Sequence, residues 1–166
     1  MGRNKEKSSI LLGRDKPLFN RIVSGNYNPG STIKPLHALA ALVENVIDPT
    51  TTIFSPGYLD IPNPWDPEHP TRYVDWRYQG YVDLSAALAQ SSNVYFYTVG
   101  GGTKERKGLG IERLITWWKK FGFDAPTGLD MPSEAKGFLP SPDWKERTTG
   151  RPWLIGDSYN VSIGQG

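Results

Sequence analysis

Residues 28–49 read NPGSTIKPLHALAALVENVIDP and contain a glycine-bearing turn followed at once by one long helix. Ser31 or Thr32 can cap that helix, and Asp48-Pro49 ends it. Its apolar residues fall on nearly every side of the cylinder, a pattern typical of a helix that is buried in a core. The sequence therefore predicts that a polar turn leads directly into an interior helix.

Ser31 and Lys34 stand three residues apart in this stretch, which is close to one helical turn. Their side chains then lie ~60° apart on one face of the helix. A serine in the first turn lies among free backbone N–H groups, where the helix dipole favours developing negative charge. A lysine held against a buried helix loses its proton more easily, and the neutral amine can accept the serine's proton. The spacing thus fits a serine nucleophile activated by a lysine.

The same spacing also has an ordinary explanation, because serine and lysine are common residues. The pattern occurs again at Ser133 and Lys136, between a proline and a glycine, where no apolar helix follows and a solvated loop is expected. Ser31 could equally be only a helix cap, and Lys34 only a surface residue of the first turn. The buried helix behind the pair favours catalysis without excluding this alternative.

Ser91 and Asn93 lie in the triplet Ser91-Ser92-Asn93, which separates two helical segments. On one interpretation Asn93 merely caps the second helix. On the other, a hydroxyl and an amide projecting from the break orient Lys34 and bind a substrate amide. Ser-x-Asn recurs twice elsewhere in the chain, so the helix break, rather than the spacing, distinguishes this copy.

The composition is that of an ordinary globular protein of about one domain. The 166 residues are 37% hydrophobic and 12% aromatic, enough for a packed core, and a net charge of +2 argues against nucleic acid as a partner. The absence of cysteine excludes disulfides and thiolate chemistry. No stretch reaches the ~18 apolar residues of a membrane span, so neither an anchor nor a signal peptide is expected in this chain.

Helices are expected to outnumber strands. Short strands are predicted near residues 52–54 and 58–61, and prolines between residues 56 and 70 are expected to prevent longer regular elements. Asp66, Glu68 and His69 are the nearest approach to a metal cluster, but the flanking prolines favour a solvated loop. Residues 1–14 are predicted to be loose, residues 111–120 to be helical, and residues 121–166 to be mostly loop.

Four segments in chain order carry a family resemblance: YNPGSTIKP, ALAQSSNVYFYTVG, FGFDAPTGLDMPSE and SIGQG. Together they resemble the transpeptidase domain of penicillin-binding proteins, most closely the monofunctional class B, elongation-type D,D-transpeptidases. The resemblance implies an α+β, β-lactamase/transpeptidase-like fold. Residues 15–166 would form mainly its helical part, with most of the central antiparallel sheet missing.

The resemblance implies a role for each matched residue. Ser31 matches the nucleophile that attacks a peptidoglycan stem peptide ending in D-Ala-D-Ala, and Lys34 matches the base that accepts its proton. Ser91 and Asn93 match the second motif, which aids proton shuttling and substrate docking. An amine of a neighbouring stem peptide then resolves the acyl-enzyme into a cross-link, whereas β-lactams acylate the same serine.

The family setting implies further expectations. Its elongation-type members act at the extracytoplasmic, periplasmic face of the bacterial inner membrane, with a shape-determining glycosyltransferase as membrane partner. No cofactor and no nucleic acid is implied. A serine β-lactamase or β-lactam sensor shares the Ser-x-x-Lys core and is one alternative, although no deacylating glutamate is evident. A non-catalytic scaffold or binding domain is another.

Two departures from the family pattern qualify these expectations. The third motif, Lys-Thr-Gly or Lys-Ser-Gly, does not occur in the chain, which suggests a truncated fragment that ends before that strand. Some elongation-type members also carry a zinc site, whose ligand positions here correspond to Ser55, Asp75, Gln79 and Ser92. Only one of these four positions, Asp75, still carries a residue that can bind zinc, and a structural zinc site needs about four ligands. The sequence therefore predicts no zinc site.

We expect the isolated 166-residue chain to show no measurable transpeptidation and little labelling by a fluorescent penicillin. In the family the third motif supplies an oxyanion-hole N–H, and losing one such donor typically lowers the rate ~10²- to 10³-fold. Gel fluorescence after incubation with the penicillin measures this. Strong labelling that disappears in Ser31→Ala would contradict the expectation.

Overall fold

The computed structural model describes Gly13, residues 16–63 and residues 66–166. The elements, in chain order, are α1 (Arg21–Ser24), a 3₁₀ helix (Gly30–Ile33), α2 (Lys34–Val43), β1 (Ile53–Ser55), β2 (Tyr58–Asn63), β3 (Asp66–Val74), β4 (Gly80–Val82), α3 (Leu84–Ala89), α4 (Asn93–Gly101), α5 (Gly110–Lys120), α6 (Pro142–Thr149) and α7 (Ile155–Ser162). The predicted α+β class is confirmed. The prediction of a loose segment at 1–14 lies, Gly13 apart, outside the described residues.

The described residues divide into two compact units, the first consisting of those that lie within Met1–Tyr27 and Gly122–Phe138. The two segments of this unit are joined by hydrogen bonds from Ala135 N to Val23 O (2.9 Å) and from Ser24 Oγ to Ser133 O (2.7 Å). Ser133 lies in a turn, as predicted for the second Ser-x-x-Lys copy. The domain boundary predicted at residue 15 stays a prediction.

The second unit consists of Asn28–Phe121 and Leu139–Gly166, and its core is built around α4. Every residue of α4 from Val94 to Gly100 is buried, and the helix packs against α2, α5 and α7. A Cβ at Gly100 would collide with Ser162 Oγ of α7, so a glycine is needed for the two helices to approach this closely. The glycine run at the end of α4 thus serves helix packing.

The prediction that the helix after the polar turn is buried on all sides was wrong. The α-helix begins only at Lys34, because Gly30–Ile33 forms a 3₁₀ turn, and neither Ser31 nor Thr32 caps it. Leu39 and Val43 are 42% and 56% exposed. The buried face of α2 is lined by small and polar residues: Lys34, His37, Ala38, Ala40 and Ala41. The interior helix of this unit is α4.

The β-structure of the described residues consists of two antiparallel two-stranded ribbons rather than a larger sheet: β1 pairs with β4, and β2 with β3. The expectation that prolines bar long strands was wrong, since Pro62 lies in β2, and Pro67 and Pro70 lie in β3. A two-stranded ribbon has an open edge on each side, where a missing N–H breaks no ladder. The register shifts between Ile61 and Asn63, around the proline of β2.

Two further expectations are corrected. Asp66, Glu68 and His69 lie on β3 rather than in a loop, with His69 Nδ1 2.9 Å from Asp66 Oδ2 and both side chains well exposed. Residues 142–149 and 155–162, expected to be loop, form α6 and α7. The sequences of these two helices are polar and show no apolar periodicity. Their helical signal lies in the caps, where Ser141 accepts from Trp144 N and Asp157 accepts from Leu154 N.

No helix among the described residues has both the length and the hydrophobicity that crossing a membrane requires.

Candidate active site

The structure brings the four predicted site residues into one hydrogen-bonded group. Ser91 Oγ lies 2.9 Å from Ser31 Oγ. Lys34 Nζ donates to Ser91 Oγ at 3.1 Å, to Ser91 O at 2.8 Å and to Asn93 Oδ1 at 2.7 Å. Residues some sixty positions apart in the chain thus meet where the 3₁₀ helix and α2 face the break between α3 and α4. Ser133 and Lys136, the second copy of the pattern, take no part in the group.

The turn that carries Ser31 is hydrogen-bonded through its backbone to the SIGQG segment, residues 162–166. Gly30 N donates to Gly164 O at 3.0 Å. Gly164 has φ +71°, and a Cβ there would collide with the backbone of Gly30. Only glycine meets both conditions without strain. Ser31 itself is exposed, so its hydroxyl is accessible from solvent.

Lys34 is 1% exposed, and its burial lowers the pKa of the amine from 10.5 to about 8, while the negative charge of Asp75 opposes part of this shift. Two of its three partners, Ser91 O and Asn93 Oδ1, are carbonyl oxygens, which only accept hydrogen bonds. Ser91 Oγ alone can donate. When the amine is neutral, its lone pair must therefore face Ser91 Oγ.

This geometry changes the proton path expected from the spacing. Within the described structure Lys34 makes no direct hydrogen bond to Ser31, and the connection runs through the hydroxyl of Ser91. A proton leaving Ser31 Oγ can pass to Ser91 Oγ while the Ser91 proton passes to Lys34 Nζ. Each step covers one hydrogen bond of normal length.

The break between α3 and α4 frees Ser91 and Asn93 for this role. Ser91 has φ +53°, a strained left-handed conformation for a residue other than glycine, which turns the chain sharply. Ser92 caps α4 by accepting from Tyr95 N at 3.3 Å. The alternative interpretation of Asn93 as the cap was therefore wrong. Its side chain instead accepts a hydrogen bond from Lys34.

The positions that correspond to zinc ligands in some family members also cluster, but they do not fit a metal. Asp75 Oδ2 accepts hydrogen bonds from Ser55 Oγ, Ser92 Oγ and Val94 N, at 3.4, 3.1 and 2.9 Å. Gln79 Nε2 donates to Gln90 O at 3.4 Å. Neither imidazole nor thiolate is present in this set, and the carboxylate oxygen is already occupied by donors. Nowhere in the described residues do three or more His, Cys, Asp or Glu side chains converge on a possible metal position.

His37, which the sequence did not single out, ties α2 to α5 and α7. Trp118 Nε1 donates to His37 Nε2 at 2.8 Å, so Nδ1 carries the proton and donates to Ser162 O at 2.9 Å. Burial lowers the pKa of His37 to about 4. His37 lies one turn after Lys34, whereas Trp118 is far away in the chain. The local sequence around His37 therefore could not predict this contact.

Comparison with known proteins identifies the family of the chain. The penicillin binding protein transpeptidase domain family matches residues 2–165. The chain belongs to this family. The predicted family resemblance is thereby confirmed, with the Ser31–Lys34 turn and the Ser91–Asn93 break inside the matched region.

Curated relatives of the chain include peptidoglycan D,D-transpeptidase MrdA of Haemophilus influenzae, 43% identical over 98% of the chain and 24% of the relative. MrdA of Escherichia coli is 36% identical with the same coverage. Solved structures include Pseudomonas aeruginosa PBP2 in complex with WCK 5153, with a TM-score of 0.81, 39% identity, and coverage of 98% of this chain and 35% of that one. Helicobacter pylori PBP2 in complex with MreC has a TM-score of 0.82, 31% identity, and coverage of 98% and 28%. The chain spans about a quarter of the length of the curated relatives.

We expect acid to destabilise this unit through His37. Unfolding returns the pKa of the imidazole from about 4 to 6.5, so the unfolded state binds the proton first as the pH falls. The stabilisation is complete above pH 6.5 and decreases by roughly 3 kcal/mol at pH 4. Denaturant unfolding between pH 7.5 and 4 measures it.

His37→Gln is the matched variant, because an amide can both accept from Trp118 and donate to Ser162 without titrating. Exposed carboxylates with lowered pKa values, such as Asp60, titrate equally in both proteins and cancel in the comparison. We expect the free energy of unfolding to fall more steeply with acid in the unmodified protein. Parallel pH profiles would contradict the assignment of a neutral, buried His37.

Proposed function

We propose that this chain carries the nucleophile half of a peptidoglycan D,D-transpeptidase site. The hydrogen-bonded path from Ser31 through Ser91 to Lys34 is the observation that supports it. Ser31 Oγ attacks the carbonyl carbon of the penultimate D-Ala in a stem peptide ending in D-Ala-D-Ala. Its proton moves to Ser91 as the Ser91 proton moves to Lys34.

The same path can return the proton. When the tetrahedral intermediate collapses, the C–N bond breaks and the terminal D-Ala leaves as an amine, which takes a proton from Lys34 through Ser91. The amine of a second stem peptide then attacks the Ser31 ester and gives its proton to the same path. The products are the cross-linked peptide and free Ser31, so every bond and proton is accounted for.

The burial of Lys34 suits it to both directions of transfer. With a pKa of about 8, about one tenth of the amine is neutral at pH 7, compared with less than ~0.1% at the ordinary value of 10.5. When the amine takes the proton, the ammonium donates to Ser91 O, Ser91 Oγ and Asn93 Oδ1, and so leaves no hydrogen without an acceptor. A base whose pKa lies near the working pH is the most efficient.

The relatives suggest the setting of this activity. The H. pylori protein is described in complex with MreC. A further relative, 29% identical with a TM-score of 0.75, belongs to a peptidoglycan synthase complex that coordinates polymerization and crosslinking. On this basis we infer that the protein acts on stem peptides outside the cytoplasmic membrane, beside a glycosyltransferase that polymerises the glycan. β-Lactams would acylate Ser31 in place of the stem peptide.

A chimaera tests the proposal in a complete enzyme. Residues 2–165 replace the matching segment of the H. influenzae relative, and labelling by a fluorescent penicillin is followed over time in membrane extracts. We expect labelling of the chimaera, none in Ser31→Ala, and labelling ~10²-fold slower or more in Lys34→Ala, because proton transfer by a positioned base contributes 10²- to 10⁴-fold.

Lys136→Ala is the matched control, since Lys136 stands in the same sequence pattern but in an irregular segment of the first unit. We expect it to label at the unmodified rate. Thermal unfolding of each variant excludes misfolding as the cause of lost labelling. Labelling that persists in Ser31→Ala, or that keeps its rate in Lys34→Ala, would refute the proposed roles.

A further inference from the structure

Asp75 is a buried carboxylate that the proposed mechanism does not use. It follows directly after β3, is 9% exposed, and accepts hydrogen bonds on both oxygens. Oδ2 accepts from Ser92 Oγ, Val94 N and Ser55 Oγ, and Oδ1 accepts from Trp76 N at 2.9 Å. A buried charge is costly unless it is fully hydrogen-bonded, and these four donors meet that condition.

Two of these donors belong to the start of α4. Ser92 is the N-cap of the helix and Val94 lies in its first turn. The N-terminus of a helix carries unpaired N–H groups and a partial positive charge, which a carboxylate stabilises. Ser91 and Asn93, the two partners of Lys34, are the residues on either side of Ser92. A contact that holds Ser92 in place therefore also holds Ser91 and Asn93 in place.

We propose that Asp75 is the positioning residue of this site: by binding Ser92 and the first turn of α4, its carboxylate holds Ser91 and Asn93 against Lys34 without a metal ion. This inference deepens the proposed function and rests on it. Ser55, the last residue of β1, donates to the same carboxylate oxygen through the longest of these hydrogen bonds, at 3.4 Å. The hydrogen-bonded cluster thus occupies the place where some family members bind zinc.

The charge of Asp75 also acts on Lys34. Burial lowers the pKa of Lys34, and the negative charge of Asp75 raises it. The other buried ionisable groups of this unit are neutral: the pKa of His37 is lowered to about 4, and burial raises the pKa values of Tyr95, Tyr97 and Tyr159 to about 12. Among the described residues, Asp75 is therefore the buried anion that keeps Lys34 from titrating at a still lower pH.

The experiment follows the titration of Lys34 in the 166-residue chain by NMR of ¹³C-labelled lysine side chains, with the Lys34 signal assigned by its loss in Lys34→Arg. Asp75→Asn keeps the shape and an acceptor oxygen but removes the charge. We expect the titration midpoint of Lys34 to move below about 8 in this variant. Asp60→Asn, which removes a carboxylate bonded to Arg72 on the β2–β3 ribbon, should leave the midpoint unchanged.

An unchanged midpoint is the diagnostic result. Asparagine has the shape of aspartate, so if Asp75 only filled space, its replacement would leave the midpoint of Lys34 at about 8. That result overturns the proposal. None of these measurements requires Ser31 to be acylated, so a failure of the proposed function would not be confused with a failure of this inference.

A second pair of variants tests the positioning separately from the charge. Ser92→Ala removes one of the two hydrogen bonds by which Asp75 holds the start of α4 and leaves the one from Val94 N. The partners of Lys34 are then held less firmly, and its midpoint should rise above about 8. Ser55→Ala removes a hydrogen bond outside that motif and should leave the midpoint near 8. Equal midpoints in the two variants overturn the proposal.

A third readout tests the absence of a metal. Elemental analysis of the purified chain should find no zinc, and the unfolding temperature should be the same with chelator or with added zinc. A stabilisation by zinc that disappears in Asp75→Asn would overturn the inference, because the carboxylate would then be a metal ligand.

Discussion

The burial of the Lys34 amine is the constraint on which the rest of the site depends. Lys34 is 1% exposed, so its amine must find its hydrogen-bond partners inside the protein, since an unpaired buried polar group is costly. The protein supplies three, and all of them come from Ser91 and Asn93. The helix break at residues 91–93 is therefore required by the lysine on α2, although the two are far apart in the chain.

The same constraint explains the order of events that the site can perform. Two carbonyl partners fix the direction of two N–H bonds, so a neutral amine has one direction left for its lone pair, toward the hydroxyl of Ser91. Ser31 lies beyond that hydroxyl, exposed on a 3₁₀ turn that the backbone of Gly164 holds in place. A buried amine and an accessible hydroxyl can share one proton path because a second hydroxyl connects them.

The sequence predicted the parts of this site that depend on motif order, and it missed those that depend on long-range contact. Four site residues were predicted because their segments occur in a family order: Ser31, Lys34, Ser91 and Asn93. The 3₁₀ turn was not, because Ser31 and Thr32 are residues that ordinarily cap a helix. His37 and Asp75 were not recognised as supports, since each acts through partners from other elements: Trp118 and Ser162 in one case, Ser92 and Val94 in the other. The apolar periodicity also predicted the wrong interior helix. It indicated α2, whose inner face carries the polar residues Lys34 and His37, whereas α4 is the helix that fills the core.

Neutron diffraction from deuterium-exchanged crystals at pH 6 and pH 9 tests the central claim most directly, since it locates the hydrogens of Lys34 and Ser91. The account predicts three deuterium atoms on Lys34 Nζ at pH 6. At pH 9 it predicts two, directed at Ser91 O and Asn93 Oδ1, with the Ser91 hydroxyl deuterium pointing at Nζ. Three deuterium atoms on Nζ at pH 9, or a lone pair directed away from Ser91 Oγ, would contradict it.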